Sequence, residues 1–443
     1  MKSNSKDYLS FDGGIHPASD GKSLSEGSPV QRPPLLDRYR VVISESVGKP
    51  PKPVVQAGDL VKKYQLIAQA EGFVSANLHS PTSGKVVGIV EVAGAMGIPV
   101  PAIEIESDGK DEPCEPMPPL DWKIASAADL LARIGEAGVV GMGGAAFPTR
   151  VKLSPPPEKQ IDTLILNGAE CEPYLTADHR LMLEKPRAVL EGAAISAKIL
   201  GVKNIYIGVE VNKTDAIEAL NKHAADYGIY VVGLKVQYPQ GSEKQLIDAV
   251  TKREVPTGGL PMDAHCVVQN VGTAAAVSDA VTRGIPLVER ITTVTGDVVK
   301  KPGNWMLKLG TPVIKAVEFA GGVTEEPGKL ILGGPMMGFA QKTFDVTVCK
   351  NTSGILLLPQ SDSIAYDPSP CIRCGRCVAG CPMGLLPCLL GSVIEAERFD
   401  LAAENHVMDC LECGSCAYIC PAHRPLVQHM RRAKAEIRKQ SKK

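Results

Sequence analysis

Short apolar runs alternate with amphipathic segments through the middle of the chain, between residues 122 and 290. The pattern predicts, in chain order, a helix at 127–137, a strand at 163–166, a helix at 186–200, a strand at 204–209 and a helix at 213–227. Pro186 opens the second helix and Gly201 stops it, as is usual at helix ends. Strands and helices in alternation indicate an α/β layer with a largely parallel sheet, and we assign it to residues 111–290.

The patterns on either side of this layer predict units built from strands. Residues 31–110 hold short β-branched runs between Gly and Pro turns, including strand–turn–strand units at 53–61 and 80–88. These units resemble the two halves of a lipoyl-type barrel sandwich. Lys85 follows its glycine and does not stand at a hairpin tip, so we interpret the unit as a structural copy and not as a carrier domain. Residues 291–360 place short strands around one helix, which is a β-grasp, SLBB-like pattern.

The remaining segments are the two ends of the chain and a cysteine-rich region. Residues 1–30 are rich in Ser, Gly and Asp and predict a tail that lies on the surface. Residues 361–430 predict a ferredoxin-like helical domain, in which two short helices separate two cysteine runs. Residues 431–443 are basic, and we expect either a solvated face or contact with an anionic membrane surface or an acidic redox partner. The predicted fold class is therefore multidomain, with α/β and α+β parts.

Composition narrows the class of protein. The 443 residues carry a net charge of −1, so no global field would attract nucleic acid. The N-terminus lacks an apolar signal-peptide core, and no apolar run approaches the ~20 residues of a spanning helix, so membrane contact is expected to be peripheral. Of the 13 cysteines, those outside the two runs are scattered, which fits a reducing compartment.

The two cysteine runs share one spacing, C-x-x-C-x-x-C-x-x-x-C-P. This is the ferredoxin-type ligand run for a pair of [4Fe–4S] clusters, in which the fourth thiolate of each run binds the other cluster. On that rule one cluster takes Cys371, Cys374, Cys377 and Cys420, and the other takes Cys410, Cys413, Cys416 and Cys381. Zinc sites and disulfides are the alternatives, but zinc ligands usually form two separated pairs without a trailing proline. Cys388 lies outside both runs and is expected to be a small buried apolar group.

A glycine-rich loop follows the helix predicted at 127–137. Its glycines include Gly141, Gly143 and Gly144, which let backbone N–H groups approach an anion or a flat ring. No lysine–serine pair follows, which excludes a P-loop, and no strand–loop–helix setting surrounds it, which excludes the ordinary dinucleotide fingerprint. A tight loop without a ligand is the alternative for this feature taken alone.

Polar residues follow the predicted strands of the α/β layer. Asn167, Glu170 and Glu172 come directly after the strand at 163–166, where ligands bind in open α/β sheets. Asn270 and Thr273 open a predicted helix, whose free N–H groups and dipole suit a phosphate. The alternatives are solvated loop acids for the glutamates and a plain helix cap for Asn270.

Together these motifs resemble the flavin- and NADH-binding subunit of respiratory complex I. The residues that carry the resemblance are Gly141, Gly143, Gly144, Phe147, Lys152, Asn167, Glu170, Glu172, Gly241, Glu243, Asn270 and Thr273. The order of units, starting from the N-terminal motif Gly13-Gly14-Ile15-His16-Pro17, resembles the C subunit of the Rnf-type ferredoxin:NAD⁺ oxidoreductases over nearly the whole chain.

The resemblance implies a role for each of these residues. FMN would be held by the loop at Gly141, Gly143 and Gly144 with Lys152, by Asn167 at the edge of the isoalloxazine ring, and by Asn270 and Thr273 at the phosphate. Glu170 would be a further cofactor-binding residue. Phe147 would stack on adenine, and Glu172 and Glu243 would meet the ribose or amide of NADH. The chain departs from the complex I pattern where Met142 replaces an arginine, Ala169 an aspartate and Gly272 a glutamate.

The resemblance also implies a function. It is that of an electron-transfer subunit, peripheral on the cytoplasmic side of the cell membrane. Such a subunit exchanges a hydride with NAD(H) at FMN and passes single electrons through two [4Fe–4S] clusters to an iron–sulfur partner, while other subunits move ions. The chemistry agrees, because a hydride carries two electrons, a cluster carries one, and a flavin converts between them. The alternatives are a cobalamin reductase of a microcompartment and a cluster relay without a working nicotinamide site.

Overall fold

The computed structural model describes residues 8–94, 97–363 and 366–440. Its strands are β1 (Val30–Gln31), β2 (Arg38–Val42), β3 (Lys52–Pro53), β4 (Leu60–Val61), β5 (Leu66–Gln69), β6 (Leu78–His79), β7 (Gly84–Ala93), β8 (Pro99–Ser107), β9 (Thr163–Asn167), β10 (Asn204–Glu210), β11 (Tyr230–Leu234), β12 (Cys266–Asn270), β13 (Glu289–Thr295), β14 (Gly303–Lys308), β15 (Lys329–Leu332), β16 (Phe339–Gln341) and β17 (Gly354–Leu358). Its α-helices are α1 (Ala127–Glu136), α2 (Thr149–Lys152), α3 (Ala177–Glu184), α4 (Pro186–Leu200), α5 (Thr214–Ala224), α6 (Glu243–Thr251), α7 (Val271–Thr282), α8 (Val313–Phe319), α9 (Arg376–Ala379), α10 (Pro387–Glu395), α11 (Phe399–Glu404), α12 (Ser415–Tyr418) and α13 (Leu426–Gln440).

The predicted barrel sandwich is confirmed. One sheet has the strand order β2-β8-β7-β4 and a second has the order β3-β5-β6, with antiparallel pairing throughout. Alternate residues of these strands are apolar, so their inward faces form one core that includes Val41, Ile67 and Ile103.

The α/β layer is also confirmed. Its four strands lie in the order β11-β10-β9-β12, and every pair is parallel. Helix α4 begins at Pro186 and ends at Leu200, since Gly201 adopts φ 70° and breaks it. The carboxyl ends of β9 and β12 are in register, which places Asn167 opposite Asn270 at one edge of the sheet.

The β-grasp unit contains a strand from an unexpected place. Its sheet runs β1-β14-β13-β17-β15-β16, with α8 packed against it. Strand β1 belongs to the N-terminal segment and pairs in parallel with β14, through Val30 opposite Asn304.

The prediction of a surface tail at the N-terminus was wrong for the residues described. Leu9 forms a β-bridge with Leu234, and Ile15, which is buried, forms another with Tyr238. The ammonium group of Lys22 is buried and donates to the main-chain carbonyls of Glu170, Glu172 and Leu175 at 2.8, 2.9 and 2.6 Å. The segment is therefore a strap that ties the α/β layer to the β-grasp unit.

The C-terminal basic segment, up to residue 440, is likewise part of a domain and not a free tail. Helix α13 packs its buried Met430 and Ala433 into the core of the cysteine-rich domain. Lys434 is buried as well and donates to the Cys410 carbonyl at 2.6 Å and to Glu412 at 2.9 Å. Within the described parts of the chain, none of the helices is long and apolar enough to cross a membrane.

Candidate cofactor sites

The structure gathers the eight run cysteines into two groups of four. Cys381, Cys410, Cys413 and Cys416 line one cavity, which we call the Cys413 cavity. Cys371, Cys374, Cys377 and Cys420 line a second cavity, which we call the Cys374 cavity. These are the two sets that the crossed ligand rule predicts, because the last thiol of each run crosses to the other group.

Each cavity is built by the same local backbone. The second run repeats the first at an offset of 39 residues, from Cys371 to Cys410. Arg373 and Glu412 both have φ 56° and aim their N–H groups at Cys371 Sγ and Cys410 Sγ, at 3.4 and 3.3 Å. The loops then pass into the short helices α9 and α12 through left-handed glycines. Main-chain donors aimed at sulfur favour thiolates, which is what cluster ligation needs.

The side-chain arrangement fits clusters better than zinc or disulfides. All 13 cysteines are free. Across the residues that the structure describes, no three His, Cys, Asp or Glu side chains converge closely enough to hold a single metal ion. Four thiols spread around an apolar cavity match a cube of iron and sulfide, whereas a zinc ion draws its ligands to about 2.3 Å.

Cys388 does not lie apart from the ligand runs in space. It is partly exposed, lines the Cys374 cavity and packs against Cys377. The expectation of a small buried group was therefore wrong as to burial, since Cys388 is partly exposed, although it does pack against buried apolar neighbours.

The glycine loop lies against the start of α7. The Met142 N–H donates to Thr273 Oγ1 at 2.9 Å, and Asn270 caps the helix by accepting from the Gly272 N–H at 2.8 Å. A Cβ on Gly143 would lie 3.1 Å from Asn270 Cβ, so a side chain there would fill the space between the loop and the helix. Exposed backbone thus faces a helix N-terminus, an arrangement that suits a phosphate-bearing ligand.

Asn167 is held in a fixed orientation at the adjacent strand end. Its Nδ2 donates to the Gly241 carbonyl at 2.7 Å, and its Oδ1 accepts from the Ala169 N–H at 3.1 Å. Gly241 packs closely against this strand end, because an added Cβ would lie 3.2 Å from Cys171 Sγ and 3.3 Å from Asn167 Nδ2.

Glu170 and Asn270 are joined by a residue that the sequence did not single out, Asp178. Glu170 accepts main-chain N–H bonds from Asp178 and His179 at the start of α3, at 2.7 and 3.1 Å. The Asp178 carboxyl accepts from Asn270 Nδ2 at 2.6 Å. Burial, with the negative charge of Glu170 nearby, raises the pKa of Asp178 to about 7.

A buried cation lies beneath the glycine loop. Arg290 on β13 donates to the Met142 carbonyl at 3.1 Å and to the Lys350 carbonyl at 2.6 Å. The positive charges of Arg290 and Lys22 both act on Asp178. Met142 stands where the complex I pattern has an arginine, so in this chain the positive charge next to the loop comes from Arg290 on β13.

The two residues expected to contact NADH have partners within the chain. Glu172 is partly exposed and accepts from the N–H groups of Met336 and Met337 in the β-grasp unit at 3.1 and 2.8 Å, so in this structure it orders that loop. Glu243 forms an ion pair with Lys152, which had been expected to hold FMN. Both carboxylates therefore have partners within the chain, and their contacts with NADH stay predictions. Phe147 is half-buried and its carbonyl accepts from the Gly141 N–H at 2.8 Å, which closes the loop.

The residues at this edge of the sheet fit FMN. The backbone at Gly143 and Gly144 is exposed and can approach a ligand closely. A Cβ on Gly143 would fill the space beside the loop, and the N-terminus of α7 lies next to that space. The cofactor contacts of individual side chains stay predictions.

The cysteine-rich domain docks onto the α/β layer at the Cys413 cavity. Tyr238 Oη donates to the Cys413 carbonyl at 2.7 Å, and Gln245 Nε2 donates to the Pro382 carbonyl at 3.0 Å. The side chains of Ile15, Tyr238 and Cys413 pack together as one buried apolar group, and Cys171 packs against this group. Cys374, in the other cavity, is exposed to solvent.

Four known domain families match successive parts of the chain. They are the RnfC barrel sandwich hybrid domain at residues 9–110, the Nuo51 FMN-binding domain at 134–279, the SLBB domain at 291–340 and the 4Fe-4S dicluster domain at 363–421.

Curated relatives match almost the whole chain. The chain is 49% identical over 431 residues to the C subunit of the proton-translocating ferredoxin:NAD(+) oxidoreductase complex of Clostridium ljungdahlii, covering 97% of this chain and 94% of that protein. It is 45% identical over 435 residues to the C subunit of the Na(+)-translocating complex of Acetobacterium woodii, covering 98% of each. Among solved structures, an air-oxidized NAD+-reducing [NiFe]-hydrogenase aligns with a TM-score of 0.47 and 20% identity, over 63% of this chain and 54% of that one. The relatives and the RnfC domain favour this family over the cobalamin reductase alternative.

Proposed function

Because the chain belongs to the C subunits of Rnf-type ion-translocating ferredoxin:NAD⁺ oxidoreductases, we propose that it is the NAD(H)-handling electron-transfer subunit of such a complex. It carries an FMN and two [4Fe–4S] clusters and works with other subunits, which supply the path for ions. FMN, when bound, supplies the exchange between the hydride of NAD(H) and single electrons.

The chain's own residues set up this exchange. The glycine loop, Asn167 and the start of α7 hold the flavin at the edge of the parallel sheet, and Asn270 and Thr273 lie at its phosphate end. Asp178 and Arg290 fix the charge around this edge. Next to this edge, Lys22 of the strap holds the Glu170 loop, and the Glu172 carboxylate orders the loop at Met336.

The two cluster sites have a defined order. The observation that carries this order is the contact of Tyr238 with Cys413, since it ties the Cys413 cavity to the layer that holds Asn167. The Cys413 cavity is therefore the site that exchanges electrons with the flavin end. The Cys374 cavity, with its exposed Cys374, faces an iron–sulfur partner.

The subunit is peripheral and lies on the cytoplasmic side, where NAD(H) is found. This is supported by the free cysteines, which fit a reducing compartment, and membrane attachment comes through partner subunits.

Anaerobic titration of the holoprotein with NADH tests the proposal. Flavin and cluster absorbance should both bleach, with dithionite as a control for reducible clusters. If dithionite bleaches the clusters and NADH bleaches nothing, the chain is a relay without a nicotinamide site. A preparation with zinc and no iron would overturn the cluster assignment itself.

A further inference from the structure

The first turn of α10 lies between the two cavities. Pro387 lines the Cys413 cavity, and the next residue, Cys388, lines the Cys374 cavity. The Cys388 side chain packs against the buried group formed by Cys377, Cys416 and Leu426, in which Cys377 is a predicted ligand of the same cavity. The Cys374 cavity is thus bordered by five thiols, one more than a cluster binds.

The internal repeat of the two cysteine runs shows which kind of side chain the packing needs at the position of Cys388. The offset of 39 residues that relates the two runs also relates Cys388 to Val427, the second residue of α13. Val427 lines the Cys413 cavity, as Cys388 lines the other, and both side chains are half-buried. An apolar side chain is therefore sufficient for packing, and the thiol is an added chemical difference between two otherwise equivalent sites.

From this placement we infer that Cys388 donates an S–H···S hydrogen bond to the Cys377 thiolate and makes the cluster of the Cys374 cavity easier to reduce than it would be with an apolar neighbour. The thiol is a weak donor and a cluster-bound thiolate is an acceptor. Reduction adds negative charge to the cluster, and a donor at a ligand sulfur stabilises that charge. Cys388 is a positioning residue, because it acts through Cys377 and does not bind iron. The inference rests on the two cluster assignments above.

Ligation by Cys388 in place of Cys377 is the competing role. The repeat argues against it, because Cys377 corresponds to Cys416, whereas Cys388 corresponds to a valine that cannot bind iron. Cys377 is also buried in the cavity wall, as is Cys416.

The chain offers a reciprocal pair of variants. Cys388→Val gives the Cys374 site the side chain of its own counterpart, and Val427→Cys introduces the thiol at the other site. The midpoint potentials of both clusters are measured on the anaerobic full-length holoprotein by EPR-monitored redox titration, with iron and flavin counted per chain. Cys388→Ser keeps a donor, and Cys114→Val controls for removal of a thiol outside the cluster cavities.

Cys388→Val should move one cluster potential to a more negative value, and Val427→Cys should move the other to a more positive one. Cys388→Ser should retain more of the original potential than Cys388→Val, and Cys114→Val should change neither. Unchanged potentials in Cys388→Val with full iron would overturn this inference and leave the cluster assignments intact. Loss of half the iron in Cys388→Val would overturn it too, since Cys388 would then be a ligand. If Val427→Cys does not fold, the two Cys388 variants decide the result.

Discussion

Tyr238 of the α/β layer donates its phenolic hydrogen to the main-chain carbonyl of Cys413, at 2.7 Å and buried from solvent. This bond joins the α/β layer, which carries the predicted flavin edge, to a loop of the cysteine-rich domain that is predicted to bind one of the clusters. Electron transfer between protein-bound centres requires close approach, and this bond is the observation on which we base the proposal that the Cys413 site exchanges electrons with the flavin end.

The order of the two sites predicts different results for Cys413→Ser and Cys374→Ser. The first variant should lose the cluster next to the α/β layer, so NADH should bleach flavin but leave the remaining cluster oxidised during the first turnovers. The second should lose the outer cluster, and NADH should still reduce flavin and the remaining cluster. Stopped-flow absorbance under anaerobic conditions measures both. Equal cluster reduction in the two variants would contradict the proposed order.

Tyr238→Phe should weaken the docking of the two domains. It removes the donor from a buried carbonyl, and an unpaired buried acceptor costs about 1–3 kcal/mol. Thermal unfolding is monitored through the loss of cluster absorbance, and it should begin at a lower temperature in this variant than in the wild type. Tyr230→Phe is the matched control, because Tyr230 is exposed on β11 and stacks on Tyr206. The same melting temperature in both variants would show that the Tyr238 bond contributes nothing.

Gly143→Val should reduce FMN binding. The new side chain would occupy the space between the loop and α7, since its Cβ would lie 3.1 Å from Asn270 Cβ, so FMN affinity should fall by about tenfold or more, which is about 1.4 kcal/mol. Fluorescence titration of the flavin-free protein with FMN measures the change. Gly27→Val is the control, because a Cβ there has no atom within 4 Å. Wild-type affinity in Gly143→Val would place the flavin elsewhere.

Stability should depend on the protonation of Glu172. Burial raises the pKa of its carboxyl to about 7 from 4.5, although the Met336 and Met337 N–H groups oppose the shift. Because the folded pKa lies above the unfolded one, this group stabilises the fold at low pH, and the contribution is lost as pH rises through 7.

Between pH 5.5 and 8 the loss should reach up to about 2 kcal/mol. Glu172→Gln is neutral at every pH, so it should become more stable relative to the wild type across this window. Melting temperatures of the two proteins at several pH values test this, and Glu45 and Asp178, whose pKa values are also raised to about 7, are present in both. Parallel curves would mean that Glu172 is ionised throughout.

Local patterns were enough to predict the units of the chain and the cysteine groups. Helix α4 was predicted within its true limits because Pro186 and Gly201 act on their own neighbours. The cysteine sets followed from spacing because cluster ligands are fixed by short loops.

The features that escaped prediction depend on distant partners. Lys22 looks like a surface lysine until its three carbonyl partners, about 150 residues away, are known. Glu172 lies at the predicted strand end, but only the loop at Met336 shows that its carboxylate is engaged. Cys388 did leave a signal in the sequence, because aligning the two runs at their common offset pairs it with Val427.

The pairing of Val30 with Asn304 has a consequence for how the polypeptide matures. Strand β1 leaves the ribosome early, whereas its partner β14 emerges some 270 residues later. The N-terminal segment therefore stays unpaired during most of synthesis, until β14 becomes available. The strap that touches both the loop at Glu170 and the sheet at β14 is thus a late closure, completed only after the barrel sandwich and the α/β layer have been made and the β-grasp unit has begun.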